Sequence, residues 1–146
     1  MKTRIIAMLI LSALSIQCAK KTDIIQDNIN YAEKQLAYLI EASEEGDTLR
    51  IPSTFKAGQI EFVPTDDWVS GFFAGTLWYM YELTGNEYYA EQAQKHTEIL
   101  HEIQFLKWHH DVGFMVYDSY GNGYRLKNIE GYDTVLVNTA KSLATR

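Results

Sequence analysis

The chain has 146 residues, a formal net charge of −6 and 47% apolar residues. Residues 1–21 hold four of the 13 lysines and arginines and no acid, so the remainder carries a net charge of about −10. So acidic a chain disfavours nucleic acid and anionic lipid as partners. The apolar and aromatic content predicts a folded core rather than a disordered tail.

The N-terminus has the pattern of a secretory signal. Lys2 and Arg4 precede an uncharged apolar run over residues 5–14. This run is shorter than the roughly 20 apolar residues that a membrane-spanning helix needs. We therefore predict an export signal over residues 1–21 and one domain over residues 22–146.

Cys18 is the single cysteine of the chain and lies four residues after the end of the apolar run. A disulfide is excluded because there is no second thiol. A cysteine in this place is typical of bacterial lipoproteins, which are cleaved before it and acylated on it. Cleavage without acylation is the alternative, because Gln17 is an imperfect residue before an acylated cysteine. We expect a periplasmic or outer-membrane lipoprotein that touches the membrane only through its lipid.

Apolar residues at helical spacing predict a first helix over residues 22–44. They are Ile25, Ile29, Ala32, Leu36, Leu39 and Ile40. Residues 46–67 contain both prolines and Gly58, and they read as a long loop with a short strand at 59–63. A loop of this length in a compact domain is usually functional or disordered.

Residues 70–83 are apolar on nearly every face, which predicts a helix buried on all sides. Ser70 is the expected N-cap and Gly85 the expected stop. Asn86 is expected to cap a third helix that runs to Phe105. Its predicted inner stripe consists of Tyr89, Ala93, His96, Leu100 and Ile103.

Residues 108–131 are rich in glycine and aromatic residues and read as a second loop. A fourth helix is expected from Tyr132, with helical spacing that continues to Leu143 and no stop signal before the chain ends. The alternation of a fully apolar helix with amphipathic ones predicts an all-α fold. It suits a toroid of inner and outer helices better than a four-helix bundle, in which every helix is half exposed.

Several catalytic motifs are absent. His101-Glu102 lacks the second histidine of a zinc protease. Residues 118–123 resemble the start of a calcium loop, but Tyr120 and Ile129 stand where oxygen ligands are required. There is no nucleophile elbow and no phosphate-binding glycine loop. We therefore expect no metal and no cofactor.

Carboxylates and aromatic rings gather in the two predicted loops. The first holds Asp66, Asp67 and Trp68, and the second holds His109, His110, Asp111, Phe114, Tyr117, Asp118, Tyr120 and Arg125. Aromatic faces stack on sugars, and a carboxyl group among them has a raised pKa that suits proton transfer. The structural alternatives are aromatic lids over the core and a hydrogen-bonded His-His-Asp loop.

Five segments resemble, in order and spacing, the unsaturated glucuronyl hydrolases of glycoside hydrolase family 88. They are residues 67–81, 84–86, 109–115, 119–123 and 140–146. The resemblance covers nearly all of the chain after the signal. The His-Asp-Val-Gly-Phe sequence within 109–115 is the more specific part, since other toroidal sugar enzymes carry helices like 67–81.

The resemblance implies an (α/α)6 toroid, of which this chain is expected to form only the N-terminal part. Family members act on the oligosaccharide products of polysaccharide lyases and remove the 4,5-unsaturated uronic acid from the non-reducing end. They hydrate its vinyl ether, and the hemiketal opens and releases the remaining sugar, whereas ordinary glycosidases attack the anomeric carbon.

Two aspartates perform this hydration in the family, and Asp111 matches the first. The second, which protonates the double bond, is expected beyond the end of this chain, so the chain alone is expected to be an inactive fragment. Trp68 and His110 match residues that line the sugar pocket. We add Asp67, which adjoins Trp68, and Arg125, a cation on the second predicted loop, as candidate substrate-binding residues.

Two other functions fit the same residues. One is a related toroidal enzyme, either an unsaturated rhamnogalacturonyl hydrolase or a sugar epimerase. An epimerase would need paired histidine bases, whereas His109 and His110 are expected to point in different directions on a loop. The other is a surface lipoprotein that binds glycans without turning them over.

Overall fold

The structure, a computed structural model, describes residues 23–145, so the predicted signal and Cys18 lie outside the described residues. The described residues divide into two units, with the boundary after Ala32. Helix α1, Ile24–Glu44, begins in the first and ends in the second. Its start is capped by Asp23, whose Oδ1 accepts the backbone N–H groups of Ile25 and Gln26 at 3.2 and 3.3 Å. The first predicted helix is confirmed.

A β-hairpin occupies the first predicted loop. Strands β1, Ile51–Lys56, and β2, Gln59–Val63, pair antiparallel. Ala57 and Gly58 form the turn with positive φ angles of 51° and 84°, as a two-residue hairpin of right-handed twist requires. The strand at 59–63 is confirmed, but its partner was missed because Pro52 signalled a loop. Pro52 lies at a register irregularity, where a missing N–H is tolerated.

Helices α2, Ser70–Thr84, and α3, Glu87–Glu98, form a hairpin. Gly85 ends α2 at φ 67°, and the Asn86 side chain accepts the Tyr88 N–H at 3.1 Å, so both predictions at this turn are confirmed. The prediction that Ser70 is an N-cap is wrong, because Val69 holds that position and Ser70 lies buried inside the helix.

The other described residues bury only part of the surface of α2. Phe73, Leu77 and Trp78 are buried, whereas Tyr79 and Leu83 are 52% and 62% exposed. Within residues 23–145 the prediction of burial on every face is therefore wrong.

Helix α3 is shorter than predicted, and residues His101–Phe105 continue as a 3-10 helix. The predicted inner stripe from Tyr89 to Ile103 is buried throughout. Two hydrogen bonds at Gln104 join this 3-10 segment to the fourth predicted helix, which is described below. The Gln104 carbonyl accepts the Ser142 hydroxyl at 2.6 Å, and the Gln104 side chain accepts the Asn138 amide at 2.8 Å.

The prediction of a second loop over residues 108–131 is wrong. Three consecutive elements form one helical run over residues 112–127: α4, Val112–Val116, a π-helical turn, Tyr117–Gly121, and α5, Asn122–Lys127. Helix α6, Tyr132–Leu143, follows and confirms the fourth predicted helix. None of the helices described between residues 23 and 145 has the length and apolar character to cross a membrane.

The glycines that suggested a loop instead allow close packing. A Cβ at Gly123 would lie 2.6 Å from the Tyr132 ring. On α2, a Cβ at Gly71 would collide with the backbone of Met115, and one at Gly75 would lie 2.9 Å from the Asp118 carbonyl oxygen. Close backbone approach, rather than flexibility, is therefore the role of these glycines.

Helix α2 and the helical run 112–127 are parallel neighbours. Gly71 packs on Met115, Gly75 on Asp118, and Glu82 pairs with Arg125, so the two helices advance in the same direction. Because their N-termini lie at one end, the residues just before them come together. Those residues include Trp68 and Asp111.

Candidate functional site

Asp111 directly precedes α4 and makes two local contacts. Its Oδ2 lies 3.3 Å from His110 Nε2, and its backbone N–H donates to His109 Nδ1 at 3.1 Å. The Asp111 side chain is 23% exposed and the His110 side chain 81% exposed. Asp111 is thus held in place by a hydrogen-bonded turn while its carboxylate still reaches solvent.

The rings of His109 and His110 stack, with centroids 5.6 Å apart and planes 18° apart. The prediction that they point in different directions is wrong, because each ring is held by its own contact with Asp111. The two histidines and Asp111 offer ligand atoms within 4.8 Å of one another, a spacing that could hold a metal ion. The bond to the Asp111 N–H occupies His109 Nδ1, however, and leaves only Nε2 of that ring for a ligand.

Asp111 borders an open cavity of about 470 Å³ at the start of the helical run. Its lining combines carboxylates and aromatic rings: His110, Asp111, Gly113, Phe114, Tyr117, Asp118 and Leu143. Burial raises the pKa of the Asp118 carboxyl above its ordinary value. The predicted combination of acids and aromatic rings therefore occurs in one place.

Trp68 connects to this cavity through aromatic contacts. Its ring, in a residue 50% exposed, meets Phe72 edge to face at 5.7 Å, and Phe72 meets Phe114 at 6.2 Å. Phe114 is a lining residue of the cavity. The structure thus places Trp68 and Asp111 on the same side of the paired helices.

Asp67 shapes the turn into α2. Its Oδ1 accepts the Val69 N–H at 3.0 Å, and its own N–H donates to the Pro64 carbonyl at 3.2 Å. The hydrogen bond to Val69 engages Oδ1 of Asp67, and Oδ2 remains available to a ligand. Substrate binding by Asp67 stays a prediction.

Arg125 lies far from Asp111, because the segment between them is helical. Fourteen residues of helix span roughly 20 Å. The Arg125 guanidinium donates to both Glu82 carboxylate oxygens at 2.6 and 2.8 Å, and this hydrogen bond lowers the pKa of Glu82. The premise that Arg125 lies beside Asp111 on one loop is wrong. Its contact with substrate stays a prediction.

Two aromatic candidates of the second predicted loop, Tyr120 and Tyr117, have different environments in the structure. Tyr120 is buried against Tyr132 with ring centroids 4.6 Å apart, and burial raises its pKa to about 12. It is a core residue, as the structural alternative expected. Tyr117 is 70% exposed and lines the cavity. The two residues are three positions apart, a spacing that puts residues on the same face of an α-helix, so helical periodicity alone would not have separated them.

The helical architecture is that of the (α/α)6 class of toroidal hydrolases. No protein-family profile matches the chain. A crystal structure of an unsaturated glucuronyl hydrolase specific for heparin is similar, with 37% identity and a TM-score of 0.71 over 82% of this chain. An unsaturated glucuronyl hydrolase from Streptococcus agalactiae, solved as a mutant in complex with dGlcA-GalNAc6S, has 25% identity and a TM-score of 0.72 over 84% of this chain.

Two curated relatives agree with these structures. An unsaturated glucuronyl hydrolase from Formosa agariphila is 41% identical over 85 residues, which is 58% of this chain. A second, from a Bacillus species, is 41% identical over 64 residues. The resemblance to unsaturated glucuronyl hydrolases and the (α/α)6 fold class are thereby confirmed.

The matched part is a fraction of each relative. This chain covers 21% of the Formosa protein and about a third of the solved chains, 33% and 32%. The activity of a whole enzyme, with its substrates and partners, is therefore a matter of proposal for this chain.

Proposed function

We propose that this chain contributes Asp111 to the active site of a hydrolase that removes a 4,5-unsaturated uronic acid from lyase-produced oligosaccharides. The observation that carries the proposal is the single cavity that joins a positioned carboxylate, Asp111, to exposed aromatic rings. The similarity to enzymes of this activity supports the same reading.

The residues divide the work in a simple way. Trp68 offers an exposed ring face on which a pyranose stacks. His110 holds the Asp111 carboxylate and remains exposed to donate to a sugar oxygen. The partial positive charge at the N-terminus of α2, next to Trp68, favours the uronate carboxylate by about 0.3–1 kcal/mol.

The reaction adds water across the C4=C5 bond of the vinyl ether. A proton goes to C4 and a hydroxyl group to C5, and the hemiketal that forms opens at its C5–O5 bond to a ketone. The hemiacetal that this leaves at C1 then breaks its bond to the leaving sugar and becomes an aldehyde. Asp111 acts in this proposal as the negative partner of a protonated acid, because two close carboxyls cannot both ionise readily. That acid is a second aspartate outside residues 23–145.

The test uses the ultraviolet absorbance of the conjugated double bond, which disappears on hydration. The chain, and the longer product of its gene where the reading frame continues, are incubated with an unsaturated chondroitin disaccharide. We expect turnover by the longer product and none by the chain alone, and Asp111→Asn in the longer product should reduce turnover at least about 100-fold, the usual scale for a catalytic carboxyl. Asp47→Asn is the matched control, since Asp47 is exposed on a bend. Equal turnover by both variants would overturn the proposal.

We also propose that the protein is exported and anchored through a lipid on Cys18. The apolar run over residues 5–14 and the position of the single cysteine support this. Cells that express the chain are labelled with radioactive palmitate, and the wild-type protein is expected to carry label in the membrane fraction. Cys18→Ala should abolish the label. Label that persists in Cys18→Ala would contradict acylation at this residue.

A further inference from the structure

A second carboxylate, Asp118, shares the cavity with Asp111. It lies seven residues further along the helical run, which places both on one face with roughly 10 Å between them along the helix axis. Phe114 lies between them on the same wall. Asp118 is therefore too far along to act on the same atoms as Asp111, but it faces the same space.

The Asp118 carboxylate has no protein partner within residues 23–145. Its backbone carbonyl accepts the Asn122 amide at 2.9 Å, whereas the half-buried carboxylate forms no hydrogen bond or ion pair with the described residues. Other acids of the helices do have partners, such as Glu82 with Arg125 and Glu87 with Lys127.

The Asp118 carboxylate oxygens are not among the fully buried side-chain atoms of the described residues that lack a hydrogen-bond partner, so they are open to the cavity and available to a ligand. Asp118 caps no helix and lies in the middle of the helical run, so local structure does not explain it. Its oxygens accept hydrogen bonds when ionised and provide no donor. A ligand with hydroxyl groups fits this place, and a second anion does not.

We propose that Asp118 is a specificity-determining residue that accepts a hydrogen bond from a hydroxyl of the sugar next to the unsaturated uronic acid and disfavours sulfate at that position. The inference rests on the proposed function and adds the substrate class, namely lyase products that carry a free hydroxyl there. The reason is electrostatic, because a carboxylate and a sulfate at close range repel each other in a partly desolvated cavity.

The experiment compares two unsaturated chondroitin disaccharides, one unsulfated and one with a 6-sulfate. Their dissociation constants for the chain are measured by ligand-observed nuclear magnetic resonance at neutral pH, and the ratio of the two constants is the readout. Asp118→Asn removes the charge and keeps the shape, and Asp118→Ser is a second neutral variant. Asp47→Asn is the control for a lost acid outside the cavity.

We expect the wild-type chain to bind the unsulfated sugar more tightly. Both neutral Asp118 variants should shift the ratio towards the sulfated sugar by roughly fivefold, as the removal of one like-charge contact predicts. The control should keep the wild-type ratio. A ratio unchanged in both Asp118 variants, with both sugars still bound, would overturn this inference and leave the proposed function standing. Binding of neither sugar by the wild-type chain would overturn both.

Discussion

At the residue scale, the candidate site depends on a few side chains held by local contacts. The carboxylate of Asp111 is oriented by His110, and its backbone by His109. Trp68 is exposed and supported from the side by Phe72. Protein contacts thus orient these side chains before any sugar binds, which lowers the cost of binding.

Trp68→Ala removes the proposed stacking surface without disturbing the core. We expect it to weaken binding of an unsaturated disaccharide by about 1 kcal/mol, or roughly fivefold in Kd. Phe55→Ala is a matched control, because Phe55 is an exposed aromatic residue of the hairpin. Isothermal titration of both variants checks this, and an equal loss in the two would argue against a role for Trp68.

The buried His96 is expected to make the stability of the chain depend on pH. It is buried, accepts or donates one hydrogen bond with the Ser43 hydroxyl at 3.1 Å, and burial lowers its pKa to about 4. The unfolded chain binds this proton near pH 6.5, so stability is complete above that pH and falls as the pH drops towards 4.

Between pH 7.5 and pH 5 the loss from His96 is expected to be roughly 2 kcal/mol in the free energy of unfolding. Denaturant titrations at the two pH values measure it. His96→Gln keeps a polar group of similar length without the titration, and the difference between the two pH values should shrink by that amount. An undiminished difference in this variant would assign the pH dependence to other groups.

At the element scale, sequence patterns located most helices but missed the helix that carries the site. Regular apolar spacing predicted α1 and α6, a continuous apolar run that ends at Gly85 predicted α2, and Asn86 marked the start of α3. Three glycines within residues 112–127 indicated a loop, because propensity disfavours glycine in helices. The structure shows tertiary packing as the cause, since Gly123 makes room for the Tyr132 ring. Tyr132 belongs to the next helix, so the helical periodicity of residues 112–127 gives no sign of this contact.

The site itself was predicted in part for the same reason. Asp111, His110 and Trp68 carry sequence motifs and lie together in the structure. Arg125 was grouped with them because a loop could return it to the cavity, whereas a helix carries it away to Glu82. Asp118 could be placed on the same face as Asp111 only if the segment were recognised as a helix.

Gly71→Ala tests the close contact between α2 and the helical run. The added methyl group would collide with the backbone of Met115, which cannot move as a flexible side chain would. We expect a loss of about 1–3 kcal/mol in the free energy of unfolding. Gly113→Ala is the matched control, because its Cβ would meet no atom within 4 Å. It should be neutral or stabilising by up to about 1 kcal/mol. Equal stability of both variants would contradict the packing role of Gly71.

At the scale of the whole molecule, two parallel helices set the location of the site. The N-termini of α2 and of the helical run lie at one end, and the turns that precede them supply Trp68 and Asp111. The same (α/α)6 class is found in solved relatives of about three times the matched length. The central claim is that these two turns form one binding site for an unsaturated uronic acid.

The most direct test is a titration of the isotopically labelled chain with an unsaturated chondroitin disaccharide, followed by amide chemical shifts. We predict shifts confined to residues 67–72 and 109–118, with the β-hairpin and α3 unaffected. These shifts should be lost in Trp68→Ala. Shifts centred on any other surface, or none at millimolar sugar, would contradict the claim that this cavity binds the substrate.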